Sequence, residues 1–133
     1  MILIIDTIDK ECCIGLYQEK LKKKIWQWQQ DTGQEVLNNI QKILKENSKS
    51  LQDIKAIAVN LGPGSFTGVR VGITIANTLA WSLDTPVYGY QKETFKKTLA
   101  LILKKKKKSF SSITLPYYPY FLLLGYFWFG KTI

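Results

Sequence analysis

Few side chains in this sequence could do chemistry. Asp6 ends the apolar run Ile2-Leu3-Ile4-Ile5, with Thr7 behind it, Glu35 lies in an amphipathic stretch, and Arg70 is the sole arginine. A carboxylate at a strand end can hold a metal ion or sit beside a phosphate. A two-metal site places its ions about 3.5–4 Å apart and needs several carboxylates to bridge them. Here only Glu35 could join Asp6, because Asn60 stands at the end of the fourth strand, where a further acid is wanted. The plain alternative for Asp6 is a turn cap. Cys12 and Cys13 are adjacent, so a strand sends them to opposite faces, and histidine is absent altogether. That inventory excludes a zinc site and any Cys-His or Ser-His-Asp nucleophile.

The densest signal is Gly62-Pro63-Gly64-Ser65-Phe66-Thr67-Gly68-Val69-Arg70. Its glycines and proline break the preceding apolar run Ile57-Ala58-Val59, and a helix-length stretch follows to Trp81. The unit reads as strand, tight loop and helix, with Ser65 or Thr67 placed to cap the helix. Backbone N–H groups at such a helix start can bind anions, which makes Asp6, Thr7, Gly62, Gly64, Ser65, Thr67, Gly68 and Arg70 candidates for a phosphate site. The spacing fails both standard tests. Gly68 is followed by Val69 and not by the lysine of a phosphate-binding loop, and Thr67 stands where a dinucleotide fingerprint needs glycine. A structural turn remains the competing reading. Arg70 could clamp a phosphate, pair with a carboxylate such as Asp6 or one on a partner, or lie on an ordinary helix surface.

These residues need elements to position them. Residues 2–5 form a β-branched run suited to a strand covered on both faces. A polar turn at Asp9-Lys10 leads to a second strand near residues 12–17, and alternation suggests a third over residues 22–28. Residues 33–47 carry Val36, Leu37, Ile40, Ile43 and Leu44 on one stripe, the mark of an amphipathic helix. A buried strand at residues 54–60, the glycine loop with its helix, a short strand at 86–90 and a helix over 93–103 complete the order βββαβαβ. This predicts an α/β fold with a mixed five-stranded sheet and flanking helices, the ribonuclease H-like arrangement, which is also half of an actin-like fold. In the second helix Gly68, Gly72, Ala76 and Ala80 recur every four residues. That small-residue face permits close approach of another helix, in this chain or in a partner. Gly72, Ala76, Ala80, Ile40 and Leu44 are the interface candidates, with purely intrachain packing as the alternative.

The 133 residues allow one small core. The net charge of +9 divides into +3 for residues 1–103 and +6 for residues 104–133, so the domain has no strong nucleic-acid footprint. Eighteen of the 19 basic residues are lysine, which also argues against direct, sequence-specific reading of nucleic acid. The opening residues lack a basic n-region, so a reduced, cytoplasmic setting is expected. Residues 104–108 are all lysine, and residues 109–133 carry nine of the 17 aromatics with a single charge, Lys131. The uninterrupted apolar part, residues 120–129, is far shorter than the roughly 20 residues of a membrane span. An interfacial anchor stays open. The favoured expectation is a slipped reading frame at an adenine-rich lysine run, which makes 104–133 a non-native tail that should not pack on the domain.

As a whole string, Gly-Pro-Gly-Ser-Phe-Thr-Gly-x-Arg-x-Gly resembles the signature of the TsaB (YeaZ) family. The likeness runs from Met1 to about Phe95 and includes the opening Ile-Leu-Ile-Ile-Asp-Thr, residues 50–59 and Pro86-Val87-x-Gly89. The resemblance implies an actin-like half-domain, residues 1–103, in a non-catalytic subunit of the machinery that makes threonylcarbamoyladenosine on tRNA. It implies pairing with a TsaD-like transferase through the two helices, with a TsaE-like ATPase or a homodimer as further partners and no cofactor of its own. The sequence departs from the family at Asn77-Thr78, where Lys-Gly is common, at Gly33-Gln34, where His-Ser is common, and in lacking the second actin-like half, which would leave one flank uncovered. The competing reading is an actin-like ATPase or phosphotransferase fragment, with ATP and Mg²⁺ at Asp6, Thr7 and residues 62–68. A ribonuclease H-like nuclease is a third.

Overall fold

The computed structural model describes residues 1–29, 32–105, 110 and 113–115. Its elements are β1 (Ile2–Asp6), β2 (Glu11–Tyr17), β3 (Leu21–Gln27), α1 (Thr32–Glu46), β4 (Ala56–Asn60), α2 (Phe66–Ser82), β5 (Val87–Tyr90) and α3 (Phe95–Lys104). Short 3₁₀ turns at Leu51–Asp53 and Lys92–Thr94 lead into β4 and α3. The expected βββαβαβ order holds, and most boundaries fall within two residues of those read from the pattern.

The strands lie in the order β3-β2-β1-β4-β5. β1 pairs antiparallel with β2, β2 with β3 likewise, while β1–β4 and β4–β5 are parallel. β1 therefore sits at the centre, which explains why it has no polar face. Leu3 and Ile5 join Ile14, Leu16, Ile57 and Val59 in a cluster with α1 and α2, whereas Ile2 and Ile4 join Ala56, Ala58 and Tyr90 beneath Ile102 of α3. Both sheet faces carry helices. The flank expected to be bare is partly closed by α3, whose Phe95 and Leu99 pack on the second cluster.

β3 is an edge strand, and its lysines at 22–24 discourage further pairing there. α1 meets the sheet with Val36, Ile40, Ile43 and Leu44, each contributing about 1.5–3 kcal/mol of burial. Its last turn closes through Ser48, held at φ 55°, while α2 ends through Asp84 at φ 49°. Glycine usually serves at such left-handed helix ends.

The lysines at 106–108 and the aromatic stretch 120–129 lie outside the described residues. The expectation that no part of the tail would pack is corrected by Phe110, which is half-buried against the α1–α2 cluster.

Candidate functional site

The carboxyl ends of β1 and β4 meet the glycine loop, and the polar groups there bind one another. Asp6 Oδ2 accepts from Asn60 Nδ2 at 3.1 Å, and Asp6 Oδ1 accepts from the Ile8 N–H at 3.4 Å. Asn60 Oδ1 in turn accepts from the Gly62 N–H at 3.0 Å. Thr7, only 1% exposed, donates its hydroxyl to the Gly68 carbonyl at 2.6 Å. The Ser65 N–H donates to the Ile8 carbonyl at 2.7 Å, and Ser65 Oγ caps α2 by accepting from the Gly68 N–H at 3.3 Å. Ser65 is thus the cap. Thr67, the other candidate, lies inside the first turn of α2 and is exposed. The N–H groups of Gly62, Ser65 and Gly68 are thus spent within the chain.

The glycines earn a packing explanation. A Cβ on Gly64 would come within 2.6 Å of Ile8, and one on Gly68 would meet the Thr7 carbonyl oxygen and the Trp28 ring. One on Gly72 would meet Thr7 Oγ1. The first turns of α2 thus lie directly on the end of β1, closer than any side chain permits. Gly62 also needs its glycine, at φ 91°.

The acids do not assemble. Glu35 is engaged at the other side, where its Oε2 accepts from Trp26 Nε1 at 3.3 Å and from the Gln29 N–H at 3.4 Å. A cleft of about 330 Å³ beside Asp6 is lined in part by Asp9, Glu11, Asn60, Tyr90 and Lys92. Among the described residues no three His, Cys, Asp or Glu side chains form a metal-binding group. Cys13 borders this cleft, and Cys12 is buried. Desolvation pushes the Cys12 thiol up to about 12 and raises that of Cys13, so neither is a thiolate near neutrality. Burial also raises the Tyr90 hydroxyl well above its usual range. Arg70 turns away from all of this, its guanidinium 4.0 Å from the centre of the Phe66 ring on the outside of α2.

The structure places the interface candidates inside the domain. Gly72, Ala76, Ala80, Ile40 and Leu44 are all buried in this chain's own core. The small-residue stripe of α2 allows close approach, and at Gly68 and Gly72 the neighbour that approaches is the end of β1. The large residues point outward instead: Phe66 is 53% exposed, Trp81 70% and Leu37 of α1 41%. α1 and α2 pack side by side and present these residues on their outer surface.

The sequence model of TsaD, tRNA N6-adenosine threonylcarbamoyltransferase, matches residues 29–92. The tRNA threonylcarbamoyladenosine biosynthesis protein TsaB of Escherichia coli (strain K12) is 39% identical over 89 residues, covering 66% of this chain and 38% of that protein. The protein of the same name from Buchnera aphidicola subsp. Schizaphis graminum (strain Sg) is 33% identical over 109 residues, covering 79% of this chain and 48% of its own length. Among solved structures, YeaZ from Pseudomonas aeruginosa superposes with a TM-score of 0.64 at 31% identity, covering 68% of this chain and 43% of that one. In sequence and fold alike, this chain belongs to the TsaB (YeaZ) family and spans less than half the length of these relatives.

Proposed function

We propose that this chain acts in tRNA threonylcarbamoyladenosine formation as a non-catalytic subunit that pairs with a TsaD-like transferase through the outer surface of α1 and α2. The observation that carries this reading is the closed network at the β1 end. Asp6 is bonded to Asn60, Thr7 to the Gly68 carbonyl, and three loop N–H groups are spent within the chain. Residues that would cradle a nucleotide phosphate serve instead to weld α2 to the sheet. The apolar outer residues Leu37, Phe66 and Trp81 suit protein contact, since aromatic side chains dominate the binding energy of such surfaces. A TsaE-like ATPase or a second copy of the chain would be a further partner of the assembled complex.

Calorimetric titration with a TsaD homologue tests the pairing, and titration with ATP and Mg²⁺ tests the competing phosphotransferase reading. Saturable binding of the homologue without micromolar nucleotide binding is expected. Micromolar, magnesium-dependent ATP binding by the free chain would transfer the function to the cleft beside Asp6.

A further inference from the structure

The chain returns to α2 after α3. The Phe110 N–H donates to Asp84 Oδ1 at 3.3 Å, and the Phe110 ring rests against the core. Further along, one side chain satisfies both main-chain groups of Thr114: its N–H donates to Asn77 Oδ1 at 3.0 Å, and Asn77 Nδ2 donates to its carbonyl at 2.9 Å. A carboxamide that does this supplies what a neighbouring strand supplies to an extended chain, and it reads main chain without regard to side-chain identity. Asn77 lies on the side of α2 that also carries exposed Arg70, Thr74 and Trp81, and Asp84 lies just past the end of the helix. Ile113 and Leu115, which flank Thr114, remain 65% and 72% exposed. The contact therefore rests on the main-chain hydrogen bonds and on Phe110.

We propose that the outer side of α2 is a docking surface for main-chain amide groups, that residues 110 and 113–115 are its intramolecular occupant, and that a protein binding α2 must displace them. The partner half of this inference rests on the pairing reading above. A few partly exposed hydrogen bonds make a weak contact, each offset by lost water bonding, and the tether through α3 keeps the segment at high local concentration. Such an occupant is held and still displaceable.

Two full-length variants test it. Thr114→Pro removes the N–H that Asn77 accepts, and Phe110→Asp removes the ring from the core; neither touches α2 itself. The Asn77 side-chain amide signals, followed by NMR without any partner, should shift in both variants. Affinity for a TsaD homologue should rise, by about tenfold if the segment is docked nine-tenths of the time. Unshifted Asn77 signals would overturn the docking. Shifted signals with unchanged affinity would overturn the competition. If neither the full chain nor the variants bind the homologue, the pairing reading fails together with the partner half, while the Asn77 signals still decide whether α2 holds the segment.

Discussion

At the scale of single residues, Thr7 is the hinge pin of the fold. Its hydroxyl reaches the Gly68 carbonyl and occupies the space where a Gly72 Cβ would go, while its own carbonyl blocks a Cβ on Gly68. Two glycines are thus excluded from substitution for different reasons. Gly72→Ala and Gly68→Ala should each destabilise the protein, by roughly 1–3 kcal/mol as in other overpacked sites. Adding Thr7→Ala should relieve Gly72→Ala in part, because the clash is with a side chain, and should leave Gly68→Ala unrelieved, because there it is with backbone. Urea melts of the four variants measure this, and equal rescue of both would disprove the assignment. Cys12 gives a second test. Its thiol is raised from 9.0 to about 12 by burial. A thiol with a raised folded pKa contributes stability that is complete below the unfolded value and is lost as pH rises toward the folded one. The unfolding free energy should fall between pH 9 and 12, by up to about 1.4 kcal/mol per pH unit. Cys12→Ala should flatten that decline, and an unaltered slope would show that the thiol stays solvated.

At the scale of elements, α2 divides its circumference between duties. One side carries Gly68, Gly72, Ala76 and Ala80 against the sheet, and another carries Phe66, Arg70 and Trp81 outward. Leu37 belongs to α1 and extends that outer surface. Since Leu37 and Trp81 support little of the core, Leu37→Asp and Trp81→Asp should leave the melting temperature within a few degrees of the parent. Trp81→Asp should weaken pairing with a TsaD homologue tenfold or more, as truncated aromatic anchors do, and Leu37→Asp should weaken it by placing a charge in the contact. Undiminished pairing in both would place the interface elsewhere. The end of α1 offers a separate check, because Ser48 adopts φ 55° where glycine is at ease. Ser48→Gly should raise stability by about 1 kcal/mol, read from the shift in denaturation midpoint.

At the scale of the whole molecule, stability depends on helices covering both faces of a five-stranded sheet. The second face has the thinner cover, with Ile102 of α3 lying over Ile2, Ile4, Ala56 and Ala58. Ile102→Ser should expose that cluster, lowering the melting temperature and promoting self-association visible by light scattering at tens of micromolar protein. Leu101 and Leu103 are exposed on α3 already, so the parent should show some concentration-dependent association of its own. A clean monomer in both forms would mean that α3 is not the cover. Among the described residues no helix is long and apolar enough to cross a membrane. Sequencing the gene across the codons for residues 104–108 tests the slipped-frame origin of the tail, and the docking of Phe110 and Thr114 on α2 follows from geometry whatever that origin.

Local pattern alone determined the elements and their order. A continuous β-branched run such as Ile2–Ile5 suits a strand covered on both faces, and the stripe through Val36, Ile40, Ile43 and Leu44 suits a helix with one buried side, because strand and helix periods impose themselves on short stretches. The glycine string also marked its own turn and family. What the pattern could not supply was direction. A stripe of small residues announces close approach without saying whether a sheet or a foreign helix approaches, and only the packed molecule decided that Gly72, Ala76 and Ala80 face inward. The same holds for Asp6, Thr7 and Gly68. Their residue types suggested phosphate chemistry, and the hydrogen bonds they make, between Asp6 and Asn60 and between Thr7 and Gly68, span 54 and 61 positions of sequence. Distant pairings of that kind are set by how the whole chain closes on itself, and no local period records them.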